Sequence, residues 1–276
     1  MRLNTVRIPF KTGESFTLIP VGDVHLGSAN CDVGAFKEVL CDARDDPNTR
    51  LIFMGDQVEA IAPNDKRWHA GGVDPAIIDL AHQDRIADVY VEKLAELLAP
   101  VADKIIAYGD GNHEAAFTKH YYTSISGRVL EAIGRPDAYT GWACLTRIVF
   151  DHRTRKRSLP VRVFHSHGFQ AGRLEGGKVN EVRRLLAYIE ADVYCQGHSH
   201  SKWVVPQTRL ETDVRFTRLV AHEVYTCHTG SFLKTLQQDH VSYAECAGYP
   251  PTSTGVVKFV LRPEEDRVRI IAVQGG

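Results

Sequence analysis

The chain has 276 residues, of which 43% are apolar and 24% charged, with a formal net charge of −1 and a pI near 6.9. Such a chain can bury a substantial core, and its near-neutral balance excludes a polyanion-binding field spread over the whole molecule. No apolar run approaches the roughly 20 residues that span a bilayer. The opening "MRLNTVRIPFKTGES" has no signal-peptide core, and the cysteines show no CxxC spacing, so reduced thiols in a cytoplasmic protein are expected.

In chain order, Val6–Phe10 alternates, "KTGES" has turn composition and Phe16–Val21 is apolar. Together they predict an opening β-hairpin. Asp32–Ala43 reads as a helix with Ala35, Val39 and Leu40 on one face, and Leu51–Met54 as a short buried strand. Pro75–Leu98 has apolar residues at helical spacing. Lys104–Tyr108 is a second short strand, and Glu114–Ile133 a helix stopped at Gly134. Leu145–Phe150 and Val161–Phe164 predict paired strands, with the basic run His152–Arg157 as their solvated tip. Val179–Glu190 reads as a helix and Val193–Cys195 as a strand. Strands follow at Trp203–Pro206, Phe216–His222, Gly255–Leu261 and Val268–Val273. Alternating strands and helices with a strand-rich tail predict a layered α/β or α+β architecture, read as one domain over residues 1–276.

Five polar clusters each follow a short apolar strand: Asp23-Val24-His25, Gly55-Asp56 with Glu59 close behind, Gly111-Asn112-His113-Glu114, His165-Ser166-His167-Gly168, and Gly197-His198-Ser199-His200. In open α/β sheets ligands bind beyond the carboxyl ends of the strands, so these groups are expected to converge on one rim. Asp, Asn and His offer oxygen and imidazole nitrogen without thiolate, a set that suits Mn²⁺, Fe, Zn²⁺ or Ni²⁺. Two such ions about 3.5–4 Å apart can clamp a phosphate. Asp56 is the candidate carboxylate to bridge them. His165 and His167 compete for one ligand position, and because residues two apart on a strand share a face, parity does not separate them.

The order DxH, GDxx(D/E), GNH(D/E), HG, GHxH, running from Asp23 to His200, resembles the calcineurin-like metallophosphoesterases. That resemblance implies a four-layer αββα sandwich of two mixed sheets flanked by helices. It implies two divalent ions, Mn²⁺ foremost. Asp23, His25, Asp56 and His200 would hold one, and Asp56, Asn112, His167 and His198 the other. The ligand directly before glycine is His167 in this pattern. His113 would contact the phosphate and act as general acid, and Glu114 would orient it. The stretches "IPVGDVHLGS" and "TGSFLK…SYAECAGYPPT" also resemble compact stand-alone members of phage and prophage genomes. "DVHLG" resembles the start of SbcD-type nucleases, without their capping domain or coiled-coil region.

The expected activity is hydrolysis of a phosphodiester, with a nucleotide or a nucleic-acid end as the phosphorylated partner and no membrane. Phosphomonoesterase and SbcD-like nuclease activities are the enzymatic alternatives, and a metal-bound binding module the non-enzymatic one. His120, Arg67 and Trp68 are candidate substrate contacts, offering charge and stacking near the cleft. Each has a competing reading as part of a solvated loop. Specificity in such folds lies in loops without a readable code.

Overall fold

Apolar runs place the central strands. β2 (Phe16–Val21), β3 (Thr49–Met54) and β4 (Ile105–Gly109) are buried along nearly their whole length and pair in parallel, as strands covered on both faces do. These elements are seen in a computed structural model, which describes residues 1–61, 72–75, 85–169, 174–213, 215–235, 244–245 and 248–274. β10 (Val257–Pro263) joins β2 antiparallel and β11 (Val268–Gln274) joins β10, completing a five-stranded sheet in the order β11-β10-β2-β3-β4.

The second sheet has six strands, β1 (Arg2–Phe10), β5 (Ala143–His152), β6 (Ser158–Ser166), β7 (Val193–Gln196), β9 (Leu219–Thr229) and β8 (Lys202–Thr212), in that spatial order. β6, β7 and β9 run parallel, β5 and β8 antiparallel to their neighbours β6 and β9. Phe150, Val161 and Val193 of this sheet meet Leu18, Ile52 and Phe259 of the other in one buried cluster, so the sheets pack face to face. The outer face of the five-stranded sheet is covered by α1 (Val33–Asp45), α2 (Ile86–Leu98) and α4 (Ile125–Ala132). α5 (Glu175–Arg184) covers the outer face of the six-stranded sheet through Val182. Helices, sheet, sheet and helix make the expected four-layer αββα sandwich, of α+β class. Among the described residues no helix is long and apolar enough to cross a membrane.

Three expectations need correcting. The opening strands are not a hairpin: β1 pairs in parallel with β5, and β2 belongs to the other sheet. β1 alternates exposed and covered residues, which suits an edge, whereas β2 is apolar on both faces and sits centrally. The helix over Glu114–Ile133 is two: α3 (Asn112–Tyr121) ends at Tyr122, whose φ is 54°, and α4 starts where the Ser124 hydroxyl accepts from the Gly127 N–H at 3.0 Å. A serine N-cap competes with helix continuation. The helix over Val179–Glu190 begins four residues early, at Glu175, and is over by Arg184. Of Pro75–Leu98, helix is present from Ile86, while 76–84 lie outside the described residues.

Candidate metal centre

Each predicted cluster sits at the carboxyl end of its strand. β2 delivers Asp23 and His25, β3 Asp56, β4 Asn112 and His113, β6 His167, and β7 His198 and His200. The chain must turn abruptly there to aim these side chains inward. Asp23, His25, Asp56, His198 and His200 all adopt positive φ, between 52° and 66°. Non-glycine residues rarely do so, and such strain gathers at functional sites where the surroundings enforce it. Close approach accounts for one glycine: a Cβ on Gly197 would lie 2.6 Å from Asp23 Oδ2.

Two sets of donors draw on both sheets: Asp23, His25 and His200 form one, and Asp56, His167 and His198 the other, with ligand atoms in each set within 4.8 Å of one another. By the same measure His25, Glu59 and His113 form a third set. His25 Nε2 is 3.3 Å from His200 Nε2, and His167 Nε2 is 3.1 Å from His198 Nδ1. Asn112 Oδ1 lies 2.9 Å from both His167 Nε2 and His198 Nδ1, adding an oxygen to the second set. Donors about 3 Å apart can share one ion at bond lengths of about 2.0–2.2 Å. Asp56 Oδ2 stands between the sets, 3.2 Å from His167 Nε2 and 3.8 Å from His25 Nε2.

Surrounding groups preset the imidazoles. His25 Nδ1 is 2.8 Å from the Glu59 carboxylate, and His167 Nδ1 is 3.1 Å from the Met54 carbonyl oxygen. Those oxygens accept, so both rings carry hydrogen on Nδ1 and turn Nε2 to the cluster, as metal-ligating histidines do. Burial opposes charge on His25, but Glu59 and then Asp56 outweigh it and raise it to about 9. His167 reaches about 9 in the same way, burial being overcome by Asp56. Burial likewise opposes ionisation of Asp56, yet His113 and His167 hold its carboxyl well below the usual range. Binding of a divalent ion displaces the extra protons. Buried oxygen and nitrogen donors, free of thiolate, are of the kind that could hold divalent ions.

The rest of the constellation divides. His165 is buried but points away, its Nε2 2.9 Å from Thr146 Oγ1, and burial lowers it to about 3. His167 is therefore the histidine brought to the cluster. Glu114 does not do what the resemblance implies. Its carboxylate accepts from the backbone N–H groups of Asp56, Gln57, Val58 and Gly111 at 2.8–3.2 Å, so it holds the Asp56 loop. Burial, reinforced by Asp56, pushes it up to about 7. The His113 ring is oriented instead by the Glu59 carbonyl, which takes its Nδ1 hydrogen, and its Nε2 faces Asp56 Oδ2 at 3.9 Å. His120 is exposed in the last turn of α3 and is not among the gathered donors. Arg67 and Trp68 lie outside the described residues.

A supporting network escaped the sequence reading. Between the cluster-facing His198 and His200, and just after them, Ser199 and Ser201 point the other way. Ser199 Oγ bonds His228 Nδ1, and Ser201 Oγ accepts from the buried Lys178 ammonium at 2.6 Å while donating to Glu175 at 2.9 Å. The histidine loop is thereby tied to α5. The alternation His-Ser-His-Ser was a visible pattern in the sequence, but Lys178 had no signal.

The described cysteines are free thiols, and none joins the donor sets. No family model and no curated protein matches the chain. Solved structures do. A conserved Streptococcus pneumoniae protein titled a predicted phosphoesterase is 12% identical, covering 95% of this chain and 90% of its own, at a TM-score of 0.37. An Entamoeba histolytica Vps29 double mutant is 10% identical, covering 95% of this chain and 100% of its own, at 0.36. A Sphaerobacter thermophilus metallophosphoesterase is 12% identical, covering 94% and 88%, at 0.37. At such identities and TM-scores these likenesses decide neither reaction nor ligand, and the donor geometry has to.

Proposed function

We propose that this protein is a calcineurin-like, two-metal phosphoesterase that hydrolyses a phosphodiester, with a nucleotide or nucleic-acid end as its substrate class. The observation that carries the reading is the position of Asp56 Oδ2, within 4 Å of imidazoles from both donor sets. Divalent ions held there supply Lewis acidity and bring the pKa of water toward neutrality. Asp23, His25 and His200 would hold one ion, Asn112, His167 and His198 the other, with Asp56 shared. Mn²⁺ is the first metal to test, with Fe, Zn²⁺ and Ni²⁺ compatible with the same donors.

The chain's own residues do the remaining work. Glu114 clamps the backbone of the Asp56 loop, so the shared carboxylate is held before substrate arrives. The Glu59 carbonyl fixes the His113 ring and leaves Nε2 facing the cluster. From there a protonated His113 hands its Nε2 proton to the departing oxygen, a step that contributes about 10²–10⁴-fold in enzymes generally. The test is turnover of bis-p-nitrophenyl phosphate with Mn²⁺, run beside p-nitrophenyl phosphate and single- and double-stranded DNA. Diester hydrolysis is expected to exceed monoester hydrolysis. Metal bound at full occupancy with no hydrolysis of any of these would make the protein a binding module instead.

A further inference from the structure

The six-stranded sheet has a gap at the end remote from the metal centre. β7 has four residues, but its neighbours have nine and eleven. Val163, Val193 and Tyr225 lie side by side, so β6 before Val163 and β9 before Tyr225 continue past the start of β7 with no strand between them. Two strand spacings separate them there, about 9–10 Å. Asp192 still bridges the two strands, its N–H donating to the Arg162 carbonyl and its carbonyl accepting from the Tyr225 N–H, but Ile189 and Ala191 before it pack with α5's layer.

A cavity of about 580 Å³ occupies this gap. Its lining shows that it passes through the sheet. Arg147, Pro160 and Arg162 alternate with the sandwich-facing residues of β5 and β6, yet Leu159 and Val161, which face the sandwich, line it too. The floor is the other sheet, Val268 and Ile270 of β11. Six residues of strand separate Val161 from His167, about 20 Å, so this is not the substrate cleft seen from behind.

The charges around the opening are unevenly paired. Arg147 and Arg162 stand directly opposite each other across β5 and β6. Like charges so placed repel. Arg162 is neutralised, at 2.5 Å from Glu190 and 3.8 Å from Asp192. Asp192 also takes His222 at 2.9 Å. Among the described residues, Arg147 and Arg267 form no ion pair, and both line the cavity, Arg147 from β5 and Arg267 from the turn between β10 and β11. Asp266, next in sequence to Arg267, also lines the cavity, so an anion there meets two guanidinium groups against one unpaired carboxylate. Cavities of this volume with an apolar floor and a few convergent polar groups are the usual form of small-molecule sites.

We propose that this window is a second ligand site, taking a small organic anion whose apolar body rests on Val268 and Ile270 and whose phosphate or carboxylate meets Arg147 and Arg267. Guanidinium forks suit either oxyanion. The site is independent of the proposed reaction and its occupant need not be a substrate.

The test titrates benzylphosphonate, benzoate and benzyl alcohol into the metal-loaded protein by calorimetry. The Arg147→Ala/Arg267→Ala variant and Val268→Trp, which fills the floor, are titrated in parallel. Either anion is expected to bind the wild type at least about tenfold more tightly than benzyl alcohol, and the double variant about tenfold more weakly than wild type. Which anion binds better separates a phosphate ligand from a carboxylate one. Metal-dependent turnover should be unchanged in the arginine variant, whose residues are remote from the metal centre. Anion affinity equal in wild type and the arginine variant would place all binding at the metal centre and overturn the site. So would an affinity no better than that of the alcohol. Should Val268→Trp fail to fold, the arginine variant still decides.

Discussion

The two sheets contribute unlike halves of one site. The five-stranded sheet brings every oxygen donor, Asp23, Asp56 and Asn112, with His25 and His113. The six-stranded sheet brings only imidazoles, His167, His198 and His200. The halves also rest on different supports. On the first, Glu114 gathers backbone N–H groups and Glu59 holds His25. On the second, Ser201 binds the loop to Lys178 of α5 and Ser199 binds it to His228 of β9. The two sets that draw on both halves form only because the sheets pack face to face, while His25, Glu59 and His113 gather within the first half alone. Asp23 joins them directly, its carboxylate accepting from the His198 N–H at 2.9 Å.

That division can be broken at graded depths. The largest effect is expected at the shared donor. Asp56→Ala should lose both ions by elemental analysis and more than about 10³-fold in diester turnover, beyond the cost of one oxyanion donor in other enzymes. His200→Ala, confined to one half, should lose one ion, and loss of both would show that the halves are not separable. His113→Ala should lower turnover about 10²–10⁴-fold with metal content intact. Full turnover on the unactivated diester would remove it from the acid role.

The supports come next. Glu59→Gln and Lys178→Met should each weaken metal binding about 10–100-fold, the usual cost of losing a group that orients a ligand. Calorimetric titration with Mn²⁺ compares them. If only Glu59→Gln has an effect, the imidazole half needs no anchor on α5.

The smallest effect lies farthest from the centre, in the His222–Asp192 pair. Hydrogen bonding to Asp192 raises His222. The contribution to stability is therefore complete below the unfolded value of about 6.5 and fades as pH rises through the folded one. Melting temperature should show this slight loss above neutrality, and His222→Gln should remove it. An unchanged slope would mean that solvent screening leaves the pair without weight.

Much of the site was legible because each ligand block is local. An apolar strand, a tight turn and a donor occupy fewer than ten consecutive residues, and the period of the strand aims the donor. The same locality explains the misses. Whether β1 pairs with β2 or β5 depends on partners more than a hundred residues away. That Glu114 bonds the Asp56 loop rather than its own neighbour depends on contacts 56–58 residues away. Lys178 reads as a surface lysine on a polar helix until the histidine loop closes over it. The break between α3 and α4 was readable at Ser124, but the apolar period on both sides masked it.

The left-handed backbone at five of the proposed ligands has an evolutionary consequence. Aspartate, asparagine and histidine, besides glycine, are the residues that most readily enter that region. They are also the hard and borderline donors that divalent ions select. Two independent filters, one conformational and one chemical, thus admit nearly the same few side chains at these positions. Glutamate or cysteine could donate but would fit the turn less well, and glycine fits the turn but cannot donate. Drift away from catalysis therefore has an easy exit, because replacing a ligand by glycine relaxes the chain. A lineage that kept this fold and lost its chemistry would be expected to carry glycines where this one carries aspartate and histidine.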